Sequence, residues 1–121
     1  MTTRTAERAD FLSLVVITAV EGGINYWAET DRYKWNEQSG NFKDASVVVR
    51  DLEGNLPAEW TPVTLETIEA GLSNIRKDTN SQSYLIPSIL NADRTNDAGN
   101  IDADAADFIV QYGLFGKAVY G

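Results

Sequence analysis

The sequence predicts an α+β fold in one globular domain over residues 1–121: a buried N-terminal helix, an antiparallel β-hairpin or three-stranded sheet, then two or three packed helices. Three observations point there. A long apolar run near the start ends at a glycine pair, a period-two aromatic stretch and a valine triplet follow it, and the second half carries apolar residues at helical spacing between capping signals. With 121 residues, 43% of them hydrophobic and 23% charged, the chain is long enough for one core and too short for two.

The first helix is expected from Thr5 to Glu21, stopping at Gly22-Gly23, where a left-handed residue is easily accommodated. Its apolar residues Phe11, Leu12, Leu14, Val15, Val16, Ile17, Ala19 and Val20 exceed the single stripe of a surface helix, so it is covered on several sides. Two arrangements achieve this: a central helix between the sheet and the later helices, or a homodimer interface on part of its surface. Val15, Val16 and Ile17 are β-branched and compete for strand, but the length of the amphipathic lead-in favours helix.

From Ile24 to Trp35 two sets alternate, Tyr26, Ala28, Thr30, Arg32 and Lys34 against Trp27, Glu29, Asp31, Tyr33 and Trp35, which reads as a strand. After the turn-rich residues 36–41, Ala45 to Leu52 with Val47-Val48-Val49 supplies its hairpin partner. Glu53-Gly54-Asn55 marks a tight turn, and Leu56 to Val63 is read as a short third strand, which Pro57 and Pro62 confine to an edge or else make an extended loop.

Thr64 is placed to cap a helix running to Lys77, with Leu65, Ile68, Leu72 and Ile75 as its buried stripe and Arg76-Lys77 at the cation-favouring end. A polar break at Asp78 to Ser83 precedes a short helix, Tyr84 to Asp93, opened near Pro87. The last helix begins at Asp102 or Asp104, runs to Leu114 beside the first, and is closed by Gly113 and Gly116, leaving Lys117 to Gly121 as an apolar tail.

Composition narrows function by exclusion. With no cysteine and no histidine, the chain lacks thiolate nucleophiles, imidazole bases, disulfides and Cys/His zinc sites. Eighteen acids against ten bases give a formal charge of -8, which repels a nucleic-acid backbone, so direct nucleic-acid binding is not expected. The run Phe11 to Val20 is shorter than a membrane span and leads into Glu21 instead of a cleavage site, so a cytoplasmic protein without membrane attachment is expected.

The acidic stretch Asp93 to Asp104 supplies oxygen ligands but misses the calcium-loop spacing. Placing Gly99 and Ile101 at positions 6 and 8 puts Arg94, Ala98 and Ala105 at ligand positions, whereas placing Asp93 first puts Ala98 where glycine is required. A turn followed by an Asp-capped helix accounts for the same residues, and no metal or cofactor is expected. A carboxylate-dependent hydrolase would use Glu29, Asp31 or Glu37 beside Trp27 and Trp35 as a sugar platform, although such charges usually line a solvated strand face. The favoured reading is a protein-docking surface made of Trp27, Tyr33 and Trp35 with Glu29 and Asp31, because exposed aromatics anchor interfaces. An acidic surface imitating DNA is the alternative within binding. Each half of the chain holds a comparable acid excess, ten acids to six bases and then eight to four, which is mild for a mimic.

Two terminal motifs, Ala19-Val20-Glu21-Gly22-Gly23-Ile24-Asn25-Tyr26-Trp27 and the closing run from Asn100-Ile101-Asp102-Ala103-Asp104 through Tyr112-Gly113-Leu114-Phe115-Gly116-Lys117 to Gly121, resemble small acidic proteins of actinobacterial phages, notably mycobacteriophages, and of related actinobacterial genomes. The resemblance brings no activity and no catalytic residue. It implies a phage accessory protein in the host cytoplasm that binds a host or phage protein without catalysis.

Overall fold

A computed structural model describes residues 4–34 and 45–121. The first helix, α1 (Ala6–Thr18), opens at Thr5, whose hydroxyl accepts the Arg8 N–H at 3.1 Å and so satisfies an amide the first turn leaves unbonded. Phe11, Leu12, Val15 and Val16 are buried, while Leu14 and Ile17 are half-buried, so the helix is enclosed on several sides. It does not stop at a left-handed glycine. Its last turn widens into a π-turn, Ala19–Gly23, and the positive-φ glycines are Gly54, Gly116 and Gly121 among the described residues. Gly23 acts instead through its size, since a Cβ there would sit 2.7 Å from the Ala103 carbonyl oxygen.

The strand expected from Ile24 begins four residues later. Residues 24–27 form a turn in which the Trp27 and Ala28 amides both donate to the Ile24 carbonyl. Strands β1 (Ala28–Lys34), β2 (Ser46–Asp51) and β3 (Thr61–Val63) then make an antiparallel sheet in the order β1-β2-β3, with Ala28 opposite Asp51 and Val47 opposite Val63. Val47, Val49 and Val63 are buried on the inner face. Pro62, which has no amide to donate, is tolerated because β3 is an edge strand. Between Asp31 and Lys34 the register shifts, with Arg32 held at φ 51°, and this bulge breaks the alternation of β1.

Helix α2 (Leu65–Lys77) starts at Thr64, whose amide donates to the Thr67 hydroxyl at 3.0 Å, and buries Leu65, Ile68, Leu72 and Ile75 as a single stripe. Helix α3 (Ile86–Thr95) carries Pro87 in its first turn and ends at left-handed Asn96. A 3₁₀ turn at Ala98–Asn100 leads to α4 (Ala103–Phe115), capped by the Asp102 side chain and closed by Gly116 at φ 76°. Every residue from Ala105 to Tyr112 is buried, which makes α4 the most enclosed helix among the described residues. It can lie close to α2 because a Cβ on Gly71 would collide with the Ile109 carbonyl oxygen and one on Gly113 with that of Thr67.

The inner face of the sheet, α1, α2, α4 and Ile89 with Ala92 of α3 share one apolar core. At its edge Arg8 joins α1 to α2 and α3: its guanidinium donates to Glu69 at 2.6 Å, to Asp93 at 2.7 Å and to Asn96 at 2.9 Å, while Arg76 grips the other side of Asp93. Among the described residues no helix is long and apolar enough to cross a membrane.

Candidate functional site

A buried carboxylate organises the end of the molecule where α4, the turn before β1 and the C-terminal tail meet. Asp107, inside the apolar stretch of α4, is 8% exposed and accepts three hydrogen bonds: from the Trp27 indole N–H at 2.8 Å, the Gln111 amide at 2.8 Å and the Tyr26 hydroxyl at 2.6 Å. Helical spacing puts Gln111 one turn beyond Asp107 on the same face. All three donors are neutral, so among the described residues the carboxylate is satisfied by hydrogen bonds without a cation supplying countercharge. Burial, followed by the neighbouring carboxylate, pushes the Tyr26 hydroxyl well above its usual titration range, so it remains a donor at neutral pH.

Gln111 fixes the tail with its other end. Its Oε1 accepts the amides of Val119 at 2.7 Å and Tyr120 at 2.8 Å, a fork that holds the chain after the left-handed turn at Gly116. The Tyr120 ring then stacks on Trp27, and its hydroxyl donates to buried Asp51 and receives a hydrogen bond from the Asn55 side chain. Residues read from the sequence as a plain apolar tail therefore form part of the wall around Trp27.

Beside this cluster lies a cleft of about 610 Å³, lined among others by Tyr26, Tyr84, Asp104, Asp107, Phe108 and Val119. Among the described residues no lysine or arginine lines it. Among the described residues four large apolar or aromatic side chains are markedly exposed, and three of them, Tyr26 (55%), Tyr84 (81%) and Val119 (39%), stand in this cleft. Exposed apolar surface gathered at a concave site is the usual mark of a docking surface.

Of the described residues expected to form a docking surface, Glu29 and Asp31 stand exposed on β1, while Trp27 and Tyr33 pack toward the core and do not join them there. Trp27 is only 2% exposed: it lies in the turn before β1, outside the strand alternation, with its N–H on Asp107 and its ring under Tyr120. It belongs to the core. Glu29 stands on the outer face of the sheet, ion-paired to Arg50 at 2.7 Å, with the Arg50 guanidinium also over the Trp60 ring at 5.4 Å. Asp31 is exposed and accepts the Arg32 amide at the bulge. Tyr33, just past the bulge, is half-buried against the core, and burial followed by Glu21 raises its hydroxyl. Trp35, with Glu37 and the turn at 36–41, lies outside the described residues. In the acidic stretch, Asp93 is held by Arg8 and Arg76, the Asp97 side chain accepts the Gly99 amide, and that of Asp102 accepts the Ala105 amide, so these acids serve pairing and capping.

Sequence reasoning counted Asp107 only as the acid beyond the Asp93–Asp104 stretch and gave Gln111 and Tyr120 no role. A signal was present: Asp107 and Gln111 are a turn apart within Phe108-Ile109-Val110 and its apolar flanks, and polar residues inside such a run are buried only when they find partners. Compared with protein-family models, curated proteins and solved structures, the chain gives no match.

Proposed function

We propose that this chain acts without catalysis, by docking a partner protein in the cleft between α4, Tyr84 and the C-terminal tail. The supporting observation is that three of the four markedly exposed large apolar or aromatic side chains among the described residues converge on that one concavity. The surrounding architecture suits recognition, because Asp107, Gln111 and the Trp27–Tyr120 stack hold the cleft walls in a fixed arrangement, and a preorganised surface loses less entropy on binding.

Two carboxylates, Asp104 and Asp107, do share the cleft, as a hydrolase would require. Asp107, however, is buried and held by three donors, so its oxygens are engaged within the fold and not presented to a substrate. Imitation of DNA is less well supported, because Asp51, Asp93, Asp97, Asp102 and Asp107 are all engaged by the chain's own donors.

The resemblance of the terminal motifs directs the test to actinobacterial lysate, with and without phage infection. Tagged protein is compared with Tyr84→Ser, a change at a position 81% exposed that leaves the core intact. A partner captured by the parent chain and lost with Tyr84→Ser is the expected result; capture unaffected by that change places docking elsewhere.

A further inference from the structure

We propose that the group this cleft receives is an arginine side chain on an extended segment of the partner protein. This deepens the docking assignment and rests on it. The first ground is charge. Among the described residues Asp104 and Asp107 both line the cleft and no base does, while the three groups that bond Asp107 are neutral, so a carboxylate more than nine-tenths buried faces this concavity with no cation among its described partners. A guanidinium entering the cleft finds its direct carboxylate partner at Asp104, in the exposed first turn of α4, and lies within the field of Asp107.

The second ground is the rest of the lining. Tyr26 has committed its hydroxyl to Asp107, which leaves its ring as the exposed part, and Tyr84 adds a nearly fully exposed ring. Tyrosine faces attract guanidinium groups, and Arg stacks on them better than Lys. Leu85, Phe108 and Val119 complete the cleft with apolar surface suited to the aliphatic part of the same side chain. At long range the formal charge of -8 steers a basic segment toward the molecule.

The test titrates the whole ¹⁵N-labelled protein with acetyl-Leu-Arg-Leu-Arg-amide and with its citrulline counterpart, which keeps the shape and hydrogen-bonding edge but removes the charge. The expected result is amide shifts confined to the neighbourhood of Tyr26, Tyr84, Asp104 and Val119. The arginine peptide should bind several-fold more tightly, weaken as salt rises, and weaken about two- to fivefold in Asp104→Asn, the range of a solvent-exposed ion pair. Equal binding of both peptides, shifts elsewhere, or no shifts with the arginine peptide would overturn the proposal. The docking assignment fails separately: partner capture that ignores Tyr84→Ser removes it, whereas Tyr84-dependent capture alongside equal peptide binding removes only the arginine.

Discussion

The Tyr120 ring lies flat against the Trp27 indole, with centroids 5.2 Å apart and the planes 12° from parallel. Ninety-three positions separate the two residues in sequence, yet each is a wall for the other, and the Tyr120 hydroxyl extends the contact to Asp51 at 2.7 Å. Tyr120→Ala should therefore cost about 2–3 kcal/mol in urea unfolding, through lost aromatic burial and a lost hydrogen bond to a charged group. Tyr120→Phe keeps the stack and should cost about 1 kcal/mol. Equal losses for the two variants would mean the ring contact contributes little.

Asp107 is the acceptor for the buried Trp27 N–H. Asp107→Ala leaves that donor without a partner, and a loss of roughly 3 kcal/mol is expected. Trp27→Phe removes the donor as well as some packing, so the double variant should cost less than the sum of the two single changes by about 1 kcal/mol or more. Strict additivity in a double-mutant cycle would contradict the proposed coupling.

Gly71 is a helix-interior glycine that propensity alone would replace with alanine. Its Cβ would meet the Ile109 carbonyl oxygen, backbone that cannot swing away, so Gly71→Ala should destabilise by roughly 2–4 kcal/mol as α2 and α4 are forced apart. Gly22 has open space around it and no positive φ, so Gly22→Ala should be neutral or slightly stabilising. Thermal denaturation of the two variants makes the comparison, and similar midpoints would argue against close packing of the two helices.

Burial alone would raise the Asp93 carboxyl, but Arg76 and Arg8 outweigh it and hold the group below its ordinary value. A carboxylate depressed in the folded state contributes its stability fully above its unfolded value, near pH 4, and loses it as pH falls through the folded value. Unfolding free energy should therefore decline on acidification below about pH 5. Asp93→Asn should be roughly 2 kcal/mol less stable at neutral pH, because it leaves Arg8 with reduced countercharge, and should show a shallower acid decline. Parallel pH profiles for the two proteins would contradict this assignment.

Much of the fold was legible because it rests on local signals. Thr64 and Asp102 cap the helices expected of them, Leu65, Ile68, Leu72 and Ile75 face inward at helical spacing, and Pro62 sits on an edge strand. The cleft was not legible, for two reasons. Alternation was read through Trp27, which a turn removes from the strand, and through Tyr33, which lies past a bulge at Arg32 that no glycine announces. The cleft depends on contacts such as Gln111 to the Val119 amide and Tyr120 to Asp51, which follow from the tail folding back at Gly116, and no local periodicity encodes that return.

The most direct test of the docking assignment is photocrosslinking. A benzoylphenylalanine is placed at position 84 in the cleft or at position 29 on the outer face of the sheet, and each protein is irradiated in lysate containing the captured partner. Crosslinks from position 84 with none from position 29 are the expected result; crosslinks from position 29 alone would return docking to the sheet face and remove the cleft from it.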